Sequence, residues 1–62
     1  MMSGDGLRAL RKLHGWTQYD IMKATGFNRT KISEFENQHR QFTPEEEKIL
    51  QQGIAKLFNK AD

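Results

Sequence analysis

The chain has no cysteine, a single proline and few aromatic residues: one Trp, one Tyr and four Phe. Without cysteine there is neither a disulfide framework nor a cysteine-ligated zinc to staple the fold. His14 and His39 lack ligand-spaced companions, so no metal site is expected. No apolar run approaches the roughly 18 residues of a membrane span. The first six residues carry no basic or long apolar stretch, so they do not read as a secretory signal, and a cytoplasmic location is expected. There is no Gly-rich phosphate loop and no Ser/His/acid grouping. An enzyme is therefore not expected, nor a cofactor. At 62 residues the chain is one domain with a modest core.

What is present is helical patterning with clear punctuation. Residues 1–6 hold two glycines and no periodicity, and are expected to be a flexible N-terminus, with Asp5 available as a cap. The domain proper is expected over residues 7–62. Leu7, Leu10 and Leu13 recur every three residues, which predicts a first helix with the leucines on one face, ending at Gly15. Thr17 with Asp20 three residues on makes a capping box for a second helix, which Gly26 stops after two turns. Asn28 caps a third helix in which Ile32 and Phe35 face inward and which fades by Asn37. Residues 38–42 read as a polar connector. Thr43-Pro44-Glu45-Glu46 opens a fourth helix, with Pro44 where its missing N–H costs nothing and Glu46 completing the box. Glu45, Glu46 and Glu47 complement the helix dipole rather than forming a metal or catalytic cluster. Ile49, Leu50, Ile54, Leu57 and Phe58 follow the helical period, with Gly53 among them at a place that suits a close helix contact or a kink. The expected fold is all-α: four helices around one core.

Charge is unevenly spread. Residues 8–40 hold seven cations and three anions, a net of +4; residues 41–62 hold three cations and four anions, a net of −1. A basic first two-thirds suits a surface that faces phosphates.

Two short helices joined through a glycine, the second rich in polar donors, is the helix-turn-helix arrangement. Leu7-Arg8-Ala9-Leu10-Arg11, then Gly15-Trp16-Thr17-Gln18, then Ile21, Gly26, Ile32 and Phe35-Glu36-Asn37 together resemble the Cro/C1-type, lambda repressor-like family. The likeness covers about half the chain, with the helix-turn-helix over residues 17–36. Three positions depart from the family pattern. Met22 stands where relatives usually have alanine, Thr25 where they have a branched apolar residue, and Gln38 where they often have glycine.

The resemblance implies a regulator of transcription, a repressor of phage or mobile-element type, that lays its third helix in the major groove of duplex DNA. Arg29, Thr30 and Ser33 would then read bases, Arg29 as a bidentate partner of guanine O6 and N7. Gln18 matches the family's phosphate clamp at the start of the second helix. Asn28, Lys31, Glu34, His39 and Arg40 would be phosphate or flanking contacts, with Lys31 equally readable as a solvated cation and Glu34 as a pairing partner. Arg11 and Glu36 hold positions that in relatives form a buried ion pair joining the first and third helices. Trp16 matches an apolar core position, with base stacking as the alternative. Relatives bind palindromic operators as dimers. A weak or DNA-assisted homodimer through the fourth helix and residues 38–42 is therefore expected. An antitoxin, a restriction–modification controller, or a helical interaction module without DNA binding are the alternatives.

Overall fold

A computed structural model describes residues 2–60, with the backbone alone for Lys60. Met1, Ala61 and Asp62 lie outside the described residues. Four helices follow one another: α1 (Gly4–Leu13), α2 (Gln18–Thr25), α3 (Arg29–Glu36) and α4 (Pro44–Lys60). No strand occurs among the described residues.

Each start is built by a side-chain cap. Thr17 accepts from the Asp20 N–H while Asp20 accepts from the Thr17 N–H, a complete capping box for α2. The same reciprocal pair joins Thr43 and Glu46 at α4. Asn28 Oδ1 accepts from the Lys31 N–H at the start of α3. The start of α1 differs from expectation. Ser3, not Asp5, is the cap, and the helix begins inside the stretch expected to be flexible. The reason is tertiary. Gly4 is buried against α3, and a Cβ there would fall 1.8 Å from the Phe35 carbonyl oxygen. Only a glycine permits that approach.

The helix ends are equally explicit. Past α1, the Trp16 N–H returns to the Arg11 carbonyl (2.8 Å) and the Gly15 N–H to Lys12 (3.2 Å), with Gly15 left-handed at φ 71. Past α3, His39 returns to Glu34 (2.8 Å) and Gln38 to Phe35 (3.1 Å), with Gln38 left-handed at φ 64. Both are Schellman endings, and the second places a glutamine where glycine is the unstrained choice. Gln38 is held there in part by its amide, which donates to Asp5 Oδ2 at 2.7 Å.

The core comprises Leu7, Ile21, Ile32, Phe35, Phe42, Leu50 and Ile54. Helix α2 packs on α4 and α3, and α1 packs on α3. Phe42 was expected in a polar connector but is core: its ring stacks on Phe35 at 4.0 Å and lies 5.1 Å from Phe27. Leu13 was expected inward but is 79% exposed: six residues beyond the buried Leu7, it lies about 120° round the helix from it. Only part of the α4 stripe closes the core. Leu50 and Ile54 are buried, while Ile49 and Phe58 stay 40% and 47% exposed. Gly53 is a close-contact glycine rather than a kink: a Cβ would lie 2.6 Å from Thr25 Cγ2 and 3.1 Å from the Ala24 carbonyl oxygen. Thr25 fits beside it because its hydroxyl is satisfied, donating to the Ile21 carbonyl (2.7 Å) and accepting from the Phe27 N–H (3.2 Å).

Candidate functional site

One partly buried polar network joins three helices. Arg11 from α1 donates through Nε to Glu36 Oε2 (2.8 Å) and through Nη2 to Oε1 (2.9 Å), a bidentate pair. Its remaining Nη1 donates to the Trp16 carbonyl at 3.2 Å. The Glu36 side chain is 3% exposed and that of Arg11 13%. Burial pushes the Glu36 carboxyl up, but the hydrogen bonds from Arg11 and Gln18 and the charges of Arg11 and Arg8 outweigh it, leaving it below the usual carboxylate range. Arg11 is correspondingly raised, chiefly by its hydrogen bonding to Glu36.

Gln18, the first residue of α2, carries this network to the surface. Its Nε2 donates to Glu36 Oε1 at 3.1 Å, and its Oε1 accepts from Arg29 Nε at 3.4 Å. The first residue of α3 is thus tethered, through the first residue of α2, to a buried ion pair. One hydrogen of Gln18 Nε2 remains for another acceptor. The terminal Nη groups of Arg29 make no hydrogen bond among the described residues. Arg29, Thr30, Ser33 and Glu34 line one shallow depression. A second open groove beside it is lined by Arg11, Trp16, Thr17, Gln18, Tyr19, Met22 and Arg29.

The residues expected around this face separate into two groups. Arg29 and Thr30 are exposed and Ser33 is half-buried, its Oγ accepting from Asn37 Nδ2 at 3.3 Å. Asn28 spends Oδ1 on its capping role, and His39 lies exposed on the ending of α3. Lys31, in contrast, turns to α4. Its ammonium pairs with Glu46 and sits 5.0 Å from the Phe27 ring centroid. Arg40 pairs with Glu34 at 2.9 Å, which neutralises the one carboxylate at the edge of the depression. Glu34 is therefore a pairing partner.

Two groups escaped the sequence reading. The bridging role of Gln18 needs α2 and α3 to start side by side, which no local pattern states. The rings of His14, Trp16 and Phe58 form a cluster, His14 and Trp16 stacked at 4.7 Å. Its local signal is a pair of rings flanking Gly15 in a left-handed turn. Trp16 is accordingly half-buried against the core rather than enclosed by it.

No family model matches the chain, and no curated protein or solved structure matches it either.

Proposed function

We propose that the chain is a sequence-specific regulator of transcription, a repressor of lambda repressor-like architecture, that reads duplex DNA with α3 of a helix-turn-helix formed by α2, Gly26 and α3. The observation that carries this reading is the polar cluster at the start of α3, exposed at Arg29 and Thr30 and half-buried at Ser33, beside the α2 N-terminus, with Arg29 Nε tied through Gln18 to the buried ion pair. A solvated surface needs no such support.

In this reading α3 enters the major groove by its N-terminal half. Arg29 presents its two Nη groups to guanine O6 and N7, while its Nε is held by Gln18. Thr30 and Ser33 supply small donors and acceptors, and Thr30 also a methyl. A phosphate lies at the start of α2, where the free N–H groups of the first turn and the positive helix end favour an anion. The spare hydrogen of Gln18 Nε2 completes that contact. Asn28 and His39 add contacts to the flanking backbone. Lys31 and Arg40 take part chiefly through their ion pairs, so the electrostatic share of affinity falls mainly on Arg29 and the α2 helix end. Catalysis, a cofactor and a metal have no part in this mechanism. An antitoxin or a restriction–modification controller would use the same chemistry.

A second copy would join through α4. Ile49 stands exposed on the flank opposite Phe58, since nine residues turn a helix by half a revolution. Two copies on a palindrome would set their α3 helices about 34 Å apart, one turn of DNA.

The test is titration of duplex DNA, read by fluorescence anisotropy over a range of salt, with sedimentation of the complex. Binding that weakens as salt rises, with two copies on a palindrome, is expected. Absence of any binding to duplex DNA at low salt would instead mark a helical interaction module.

A further inference from the structure

Trp16 lies in the short link between α1 and α2, and its backbone is fixed. Its N–H donates to the Arg11 carbonyl at 2.8 Å, and its carbonyl accepts from Arg11 Nη1 at 3.2 Å. The same guanidinium carries Glu36, to which Gln18 also donates. None of these bonds fixes the indole. Its two side-chain torsions are set by packing alone. The ring is half-buried against the core, and it is also a wall of the open groove that Gln18, Tyr19, Met22 and Arg29 line.

Two other rings set those torsions. His14, which ends α1, stacks on Trp16 at 4.7 Å and an interplanar angle of 19°. Phe58, from the last turn of α4, meets Trp16 at 5.2 Å and 78°, and His14 at 4.9 Å and 83°. Stacked and edge-on pairs of this kind attract. Phe58 stands one turn beyond the buried Ile54 and on nearly the same face of α4, so the helix presents its ring from a packed base. Helix α1 packs on α3 and α4 on α2, so the cluster ties the end of one pair to the end of the other.

We propose that Phe58 is a positioning residue for DNA binding: it pins the Trp16 indole beside His14 and so keeps open the groove that Gln18 and Arg29 share. The inference rests on the reading of α2 and α3 as a DNA-binding unit, in which Gln18 meets a phosphate and Arg29 a base. Phe58 lines neither that groove nor the depression at Arg29, so it acts through the indole and not by touching DNA. An indole that is not pinned turns into the groove it borders. A DNA strand entering there must then order it again, and that cost is taken from the affinity.

Duplex affinity is read by the anisotropy of labelled DNA for the intact chain and its variants, each first checked for folding by circular dichroism. Phe58→Leu keeps apolar bulk but not the ring. It should bind about threefold to tenfold more weakly, the cost of ordering one freed side chain. Its sequence preference should be unchanged, because no base contact is altered. The single tryptophan reports the cause: in the free protein the anisotropy decay of Trp16 should show wider motion in Phe58→Leu than in the wild type. In a Trp16→Leu background, Phe58→Leu should change affinity by less than about twofold, since the ring it acts through is gone. His14→Ala, at an exposed residue, should free the indole likewise, and it carries the test if Phe58→Leu does not fold. Wild-type affinity in the folded variants, or an indole as confined as in the wild type, overturns the proposal and leaves the DNA reading intact. So does an equal loss in the Trp16→Leu background, which would mark a route that bypasses the indole. One copy of Phe58→Leu on a palindrome that holds two of the wild type also overturns it, by making Phe58 a dimer contact. Absence of duplex binding by the wild type overturns the DNA reading itself, and this proposal with it.

Discussion

Glu36→Gln tests the link between the buried network and everything built on it. The substitution keeps the shape of the side chain and removes its charge. Arg11 then has a single good acceptor where it had two, and its guanidinium is left largely desolvated without a counter-charge. Removing one member of a fully buried pair costs about 3–5 kcal/mol. Arg11 keeps slight solvent contact, so about 2–4 kcal/mol is expected here. For a domain of this size each kcal/mol lowers Tm by about 4–8 °C. The loss is a large share of a total stability of about 3–9 kcal/mol. Urea unfolding followed by Trp16 emission and by circular dichroism measures it. The pH dependence supplies an independent check. Because the Glu36 carboxyl is lowered in the folded state, its stabilisation is fully present above the ordinary carboxylate value of about 4.3 and is lost as pH falls below it. The wild type should lose stability through that range, and Glu36→Gln should lose correspondingly less. Replacing both partners with apolar residues, Arg11→Met with Glu36→Leu, should recover much of the loss. A Glu36→Gln protein less than about 1 kcal/mol below wild type at neutral pH would refute the reasoning.

Gly53→Ala sets helix propensity against packing. Propensity favours alanine by about 1 kcal/mol, but the new methyl meets Thr25 and the α2 backbone, so a net loss of about 1–2 kcal/mol in chemical unfolding is expected. A more stable Gly53→Ala protein would mean that α2 and α4 are not in that close contact. Gln18→Ala should cost about 1 kcal/mol of stability through its lost hydrogen bond to Glu36. It should also weaken duplex binding, because Arg29 loses its tether; unchanged DNA affinity would remove Gln18 from the interface. Lys31→Ala should lower the thermal midpoint slightly through its pair with Glu46 and leave DNA affinity within about twofold. A uniform loss of affinity across sequences would restore Lys31 as a phosphate contact.

Much of the fold was legible because local chemistry sets it. The reciprocal caps at Thr17 and Thr43, the Asn28 cap and the Gly26 stop are written within a few residues of where they act. What could not be read depends on distant chain. Helix α1 starts at Gly4 because Ser3 caps it, and residue 4 is a glycine because α3 passes close by, a constraint set by distant chain. Phe42 sits in a polar stretch, yet the ring of Phe35 seven residues earlier draws it inward. A spacing of three drifts round the helix, so Leu13, six residues after Leu7, stands about 120° from it and faces solvent. The same limit applies to the site. Helix phase puts Arg29, Thr30 and Ser33 on one face, exposed at the first two and half-buried at the third. It does not show that Lys31 and Arg40, equally basic, are neutralised by Glu46 and Glu34.

The central claim is that Arg29 at the start of α3 reads a base. Selection of bound sequences from a random duplex pool, run in parallel with the wild type and with Arg29→Ala, tests it most directly. The wild type should return a two-fold symmetric motif with a strongly preferred guanine in each half. Arg29→Ala should return the same motif with that one position relaxed, a loss of about 1–3 kcal/mol of discrimination. An unchanged guanine preference in Arg29→Ala, or no enriched motif from the wild type, would contradict the account.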